Sequence, residues 1–109
     1  MVKIKTITIE KLLEMKHNNE DFKLVEVLNN KAYNHGHIPG AINIPAGELS
    51  ERAPDELDKD EPIVVYCSSY SCTASPSAAK KLTSMGYKNV YDFSAGKLGW
   101  EDAGLELEE

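Results

Sequence analysis

Residues 62–75, Pro-Ile-Val-Val-Tyr-Cys-Ser-Ser-Tyr-Ser-Cys-Thr-Ala-Ser, constrain the fold more than any other stretch of the chain. Ile63, Val64, Val65 and Tyr66 form an apolar run of strand-forming residues that ends on Cys67. A loop of small polar residues follows, then a helix-start signal at Ser75-Pro76 and an amphipathic segment. The pattern predicts a strand that delivers Cys67 to a loop curling toward a helix N-terminus. Such a loop aims backbone N–H groups at one spot, and the helix end adds partial positive charge. A thiol placed there ionises more readily, and the thiolate is the nucleophile. Ser68, Ser69, Ser71, Thr73 and Ser75 add hydroxyls suited to holding an anion. The residues alone leave a second reading open: a buried cysteine that packs as a small apolar side chain.

The rest of the chain repeats the alternation of strand and helix. Strands are predicted at Lys3–Ile7, Phe22–Leu28, Ala41–Ile44, Ile63–Tyr66 and Val90–Phe93. Between them lie a helix over residues 9–16 capped by Thr8, a turn at 18–21 and a short helix at Asn29–Asn34. A helical turn follows around Glu48–Arg52, then an exposed charged linker, Pro54–Glu61. A helix over 76–85 has Ala78, Ala79, Leu82 and Met85 on a buried stripe and stops at Gly86. A last helical turn spans Gly96–Asp102. Strands joined by helical crossovers make a mostly parallel sheet covered by helices on both faces, an α/β fold. Sites in such sheets lie beyond the C-terminal ends of strands, where Cys67 falls.

With 109 residues, 41% of them hydrophobic and 28% charged, the chain reads as one globular domain over residues 1–109. A net charge of −6 without a basic patch disfavours nucleic acid as a partner. Apolar runs are too short to span a membrane, and the N-terminus lacks a signal-peptide core, so a cytoplasmic location is expected. Two cysteines are too few for a disulfide scaffold or a cysteine-only zinc site, and His35 and His37 lack supporting metal-ligand spacing. The acidic C-terminal run through Glu109 reads as a solvated end.

Lys23–Val27, Gly36–Pro45, Pro62–Cys67, Ala78–Tyr91 and the run from Ser94 to Leu105, taken in order along nearly the whole chain, resemble the rhodanese-like sulfurtransferase family. Lys23–Val27 is similar to its Asp-Val-Arg strand, and Gly36–Pro45 to its His-Ile-Pro-Gly-Ala segment. Pro62–Cys67 is similar to the strand that delivers the family's catalytic cysteine. Ala78–Tyr91 matches the helix and strand that follow, and Ser94-Ala95-Gly96, Trp100 and Ala103-Gly104-Leu105 match the C-terminal pattern. The resemblance implies a rhodanese-like α/β fold and a sulfur carrier, Cys67, that takes a sulfane sulfur as a persulfide. It implies a substrate-binding loop of Ser68, Ser69, Tyr70, Ser71, Cys72, Thr73 and Ser75 whose amides and hydroxyls hold the anion. No metal or organic cofactor is expected. The implied partners are a small sulfur-donor anion, a thiol acceptor and a sulfur-accepting protein.

The departures from that family shape the expectations. Glu26-Val27-Leu28 stands where the family often has Asp-Val-Arg. The loop is about two residues longer than usual, carries Tyr70 and Cys72, and has no arginine. Loss of a planar, permanently charged clamp weakens binding of thiosulfate-like dianions, so persulfides or polysulfides are the favoured donors. Ala95 replaces one glycine of the C-terminal pair. Cys72 is either a resolving cysteine for the Cys67 persulfide or a loop-filling residue. Glu26 is expected to support the loop by accepting backbone N–H bonds, and a paired structural carboxylate at a strand end is favoured over a catalytic one. His37 reads as a turn residue rather than a base, His17 and His35 as exposed, and Phe93 and Trp100 as core. Tyr70 either rims the pocket or shields the loop. Sulfur transfer is the first functional reading. A non-catalytic interaction or regulatory module is the second. Arsenate-reductase or phosphatase-like chemistry is third, because residues 68–75 lack the arginine it uses.

Overall fold

The central strand of the sheet, β4 (Ile63–Tyr66), is buried on both sides, which is why its sequence is an unbroken apolar run. In this computed structural model, which describes residues 4–18 and 20–109, it lies in a five-stranded, all-parallel sheet. The other strands are β1 (Lys5–Thr6), β2 (Lys23–Glu26), β3 (Ile42–Asn43) and β5 (Val90–Asp92), in the spatial order β1-β5-β4-β2-β3. The helices are α1 (Ile9–His17), α2 (Asn30–His35), α3 (Leu49–Glu56), α4 (Ala74–Ser84) and α5 (Gly96–Asp102), with a 3₁₀ turn at Ala46–Glu48.

Alternation along the strands sorts the core into two layers. Ile63, Val65 and Cys67 pack with Leu49 and Ala53 of α3 and Ala78, Ala79 and Leu82 of α4. Val64 and Tyr66 pack on the opposite face with Leu12 and Met15 of α1, Phe93, and Trp100 of α5. The predicted two-sided α/β sheet is therefore the observed one, and Phe93 and Trp100 are core at 0% and 4% exposure. Among the described residues no helix is long and apolar enough to cross a membrane.

Local signals explain most boundaries. Thr8 Oγ1 accepts from Lys11 N at 3.2 Å and starts α1, and Asn29 Oδ1 does the same for α2 through Ala32 N at 2.8 Å. Gly86, at φ +99°, turns the chain after α4. β4 has its predicted bounds, and the other strands are shorter than predicted, although Val27 N still donates to Tyr66 O at 3.1 Å and Ile44 N to Glu26 O at 3.1 Å. Lys3, assigned to the first strand, and Asn19, assigned to a turn, lie outside the described residues.

Two expectations need correction. Helix α3 continues through Pro54, where a linker was predicted. Buried Ala53 and Leu57 extend its apolar stripe, and Arg52 pairs with Glu48 and Glu56 one turn away on either side. Helix α4 begins at Ala74, before Ser75-Pro76, so Pro76 falls in the first turn, where its missing N–H is no loss. The acidic side chains of the C-terminal run are exposed, as expected of a solvated end, and the run is docked by its backbone. His37 and Glu108 exchange N–H···O bonds of 2.8 Å, and Trp100 Nε1 donates to Glu106 O at 2.9 Å.

Candidate active site

The carbonyl oxygens of Cys67 and Ser68 are held by the first amides of α5. Lys97 N donates to Cys67 O at 3.0 Å, and Leu98 N to Ser68 O at 2.9 Å. That approach is close enough to require glycine at position 96. Its φ is +62°, and a Cβ there would meet Cys67 O and lie 2.8 Å from Ser68 C and 2.9 Å from Ser69 N. With the carbonyls so engaged, the amides of Ser68, Ser69, Tyr70 and Ser71 make no hydrogen bond among the described residues. These unpaired donors follow directly on Cys67.

Cys67 continues the alternation of β4 onto the α3–α4 face and is 1% exposed. Ser75, also 1% exposed, projects from the first turn of α4, and its Oγ lies 3.4 Å from Cys67 Sγ. A thiol donates to that hydroxyl, and a thiolate accepts from it. Cys72 Sγ is joined to Cys67 Sγ in a disulfide, with the Cα atoms 6.4 Å apart. Cys72 N donates to Ser69 O at 3.1 Å and folds the loop back on itself.

The other loop hydroxyls point elsewhere. Ser69 Oγ and Ser71 Oγ bond each other at 3.0 Å, and Ser68 and Thr73 are exposed. Among the five hydroxyls the sequence gathers here, Ser75 alone bonds the Cys67 sulfur. Tyr70 is 80% exposed and does not pack over the loop. The chain's one arginine, Arg52, lies on α3 in its ion pairs with Glu48 and Glu56.

Glu26 ends β2 directly opposite Tyr66 of β4 and is fully buried. It is a paired carboxylate at a strand end, and the expected bonds from loop amides are corrected: it accepts side-chain bonds instead. Tyr66 Oη donates to Oε1 at 2.9 Å, and Lys97 Nζ sits 3.0 Å from Oε2, which has no further partner. Lys97 Nζ also donates to Ala32 O at 2.8 Å. Glu26 thus reaches the loop through Lys97, whose backbone holds Cys67. Tyr66 Oη in turn accepts from Ile38 N at 3.1 Å, fixing the Gly36–Pro45 segment to the sheet. Burial first, and then the Glu26 charge, push the Tyr66 phenol far above its ordinary range.

His37 stacks on Tyr33, with centroids 3.9 Å apart, and its Nδ1 is 3.1 Å from Tyr33 O. It braces the turn, and His17 and His35 are exposed. Sequence reasoning missed Lys97 and Tyr66. Nothing in sequence distinguishes a lysine kept inside by a buried carboxylate from one in water.

The family model for the rhodanese-like domain matches residues 8–103. The thiosulfate sulfurtransferase GlpE of Shewanella oneidensis is 29% identical over 103 residues, covering 94% of this chain and 98% of that protein. The HTH-type transcriptional regulator Rv0324 of Mycobacterium tuberculosis is 40% identical over 103 residues. That match covers 94% of this chain, which spans only 44% of the regulator's length. The crystal structure of the BH2092 protein from Bacillus halodurans superposes with a TM-score of 0.87 at 30% identity, covering 95% of this chain and 76% of that one. On sequence and fold together, the chain belongs to the rhodanese-like domain family.

Proposed function

We propose that the protein is a sulfurtransferase in which Cys67 carries a sulfane sulfur as a persulfide. The observation that carries this reading is the position of Cys67 at the end of β4, directly before residues 68–71, whose amides are unpaired among the described residues, and 3.4 Å from the Ser75 hydroxyl. The carrier form is the dithiol. Its Cys67 thiolate attacks the donor's sulfane sulfur, a new S–S bond forms, and the donor leaves with the electron pair of the broken bond. An acceptor thiolate then attacks the outer sulfur, and the electron pair returns to Cys67. Preorganised amides suit both steps, because each passes through localised negative charge.

The loop favours polysulfide or persulfide donors over thiosulfate. GlpE relatives are named thiosulfate sulfurtransferases, but here no cation faces a dianion from residues 68–75. A regulatory module is the second reading, supported by the likeness to part of a transcriptional regulator.

Steady-state transfer from inorganic polysulfide to a small thiol separates the two. Sulfur transfer predicts turnover in the wild type and none in Cys67→Ser. Equal rates in both proteins, or no turnover in either, would remove the proposal.

A further inference from the structure

We propose that Cys72 is a second catalytic residue, which expels the sulfur carried by Cys67 as hydrosulfide and leaves a Cys67–Cys72 disulfide for a dithiol reductant to reopen. This rests on the persulfide reading of Cys67 and adds a reaction to it: reduction of sulfane sulfur, not only its transfer.

The loop geometry carries the inference. The two cysteines are five residues apart and bonded to each other, and their Cα separation of 6.4 Å falls within the usual span for disulfides. The turn bringing them together is held by its own contacts, Cys72 N to Ser69 O and the Ser69–Ser71 hydroxyl pair. Cys67 is buried, which restricts outside thiols from reaching its inner sulfur. Cys72 is half-buried against the same core layer and reaches that sulfur from inside the fold. It lies two residues before α4, an eleven-residue helix whose N-terminal end carries partial positive charge.

The chemistry closes without an outside oxidant. The Cys72 thiolate attacks Sγ of the Cys67 persulfide, and the bond to the outer sulfur breaks. Hydrosulfide departs with that electron pair. The outer sulfur gains two electrons, and the cysteine pair loses two as the disulfide forms. A dithiol then reduces the Cys67–Cys72 bond by exchange and becomes a disulfide itself. Each cycle therefore consumes one dithiol and one sulfane sulfur and releases one sulfide.

The test is a single turnover without oxygen. Reduced full-length protein is loaded with inorganic polysulfide, freed of excess by rapid gel filtration, quenched with iodoacetamide at intervals and mapped by peptide mass. Wild type is expected to release hydrosulfide with no added thiol and to accumulate the Cys67–Cys72-linked peptide, which dithiothreitol reopens. Cys72→Ser is expected to keep its extra sulfur on Cys67 about tenfold longer or more, because an intramolecular attack has been removed. Equal persulfide lifetimes in the two proteins, with no linked peptide, would overturn the proposal while leaving the carrier reading intact. A folded Cys72→Ser protein that takes no sulfur onto Cys67 would overturn both.

Discussion

Lys97 Nζ lies 3.0 Å from Glu26 Oε2, and the same lysine's amide holds the carbonyl of Cys67. One residue thus ties a buried carboxylate at the end of β2 to the loop at the end of β4. Glu26 also accepts from Tyr66, which fixes Ile38. Three segments far apart in sequence meet on one carboxylate.

Removing that carboxylate is expected to be costly. Glu26→Ala leaves the largely buried Lys97 ammonium without its counter-ion and Tyr66 Oη without its acceptor, a loss of about 3–5 kcal/mol. Urea unfolding measures it. A loss below about 1 kcal/mol would mean that water replaces the carboxylate readily.

Gly96→Ala is expected to disturb the loop as well as the backbone. Its φ of +62° costs a residue with a side chain about 1–2 kcal/mol, and the added Cβ collides with Cys67 and Ser68. Gly86→Ala, also at positive φ but 3.6 Å from a lysine tip, is the control. Both variants lose stability, and sulfur transfer falls in Gly96→Ala alone. Equal activity in the two would detach Gly96 from the site.

Ser75→Ala is expected to slow sulfur loading roughly tenfold, the worth of one hydrogen bond to a charged group. The substitution is nearly isosteric at a buried position, so the thermal midpoint should barely move. Unchanged loading kinetics would show that the 3.4 Å contact plays no part in the reaction.

Stability is expected to fall as pH rises beyond about 10. Tyr66, Tyr33 and Tyr87 all have phenol pKa values raised, first by burial. The folded state therefore keeps phenol protons that the unfolded state releases. The stabilisation is complete below the ordinary tyrosine pKa and is lost above it, by about 1.4 kcal/mol per pH unit for the buried Tyr66 phenol. Tyrosinate absorbance of Tyr66 should appear together with unfolding. A full five-tyrosine titration of folded protein would contradict this.

The sequence made the sheet and the position of Cys67 legible because both rest on local patterns. An apolar run buried on both faces, a Thr8 cap and a Gly86 stop each act within a few residues. Helix α3 was harder, because Pro54 signals a break that tertiary burial of Ala53 and Leu57 overrides. The loop hydroxyls were legible as residue types but not as directions. Ser75 turns inward because the first turn of α4 points it at the core, whereas Ser69 and Ser71 satisfy each other. The Glu26–Lys97 pair was hidden because it joins residues 71 positions apart, with no spacing rule to announce it.

The most direct test of the account is to locate the carried sulfur. Reduced wild type, Cys72→Ser and Cys67→Ser proteins are exposed briefly to inorganic polysulfide, alkylated, digested and mapped by mass. The account predicts one additional sulfur on the peptide bearing Cys67, in wild type at early times and persistently in Cys72→Ser, and none in Cys67→Ser. Additional sulfur on Cys72 with Cys67 unmodified, or transfer undiminished in Cys67→Ser, would contradict it.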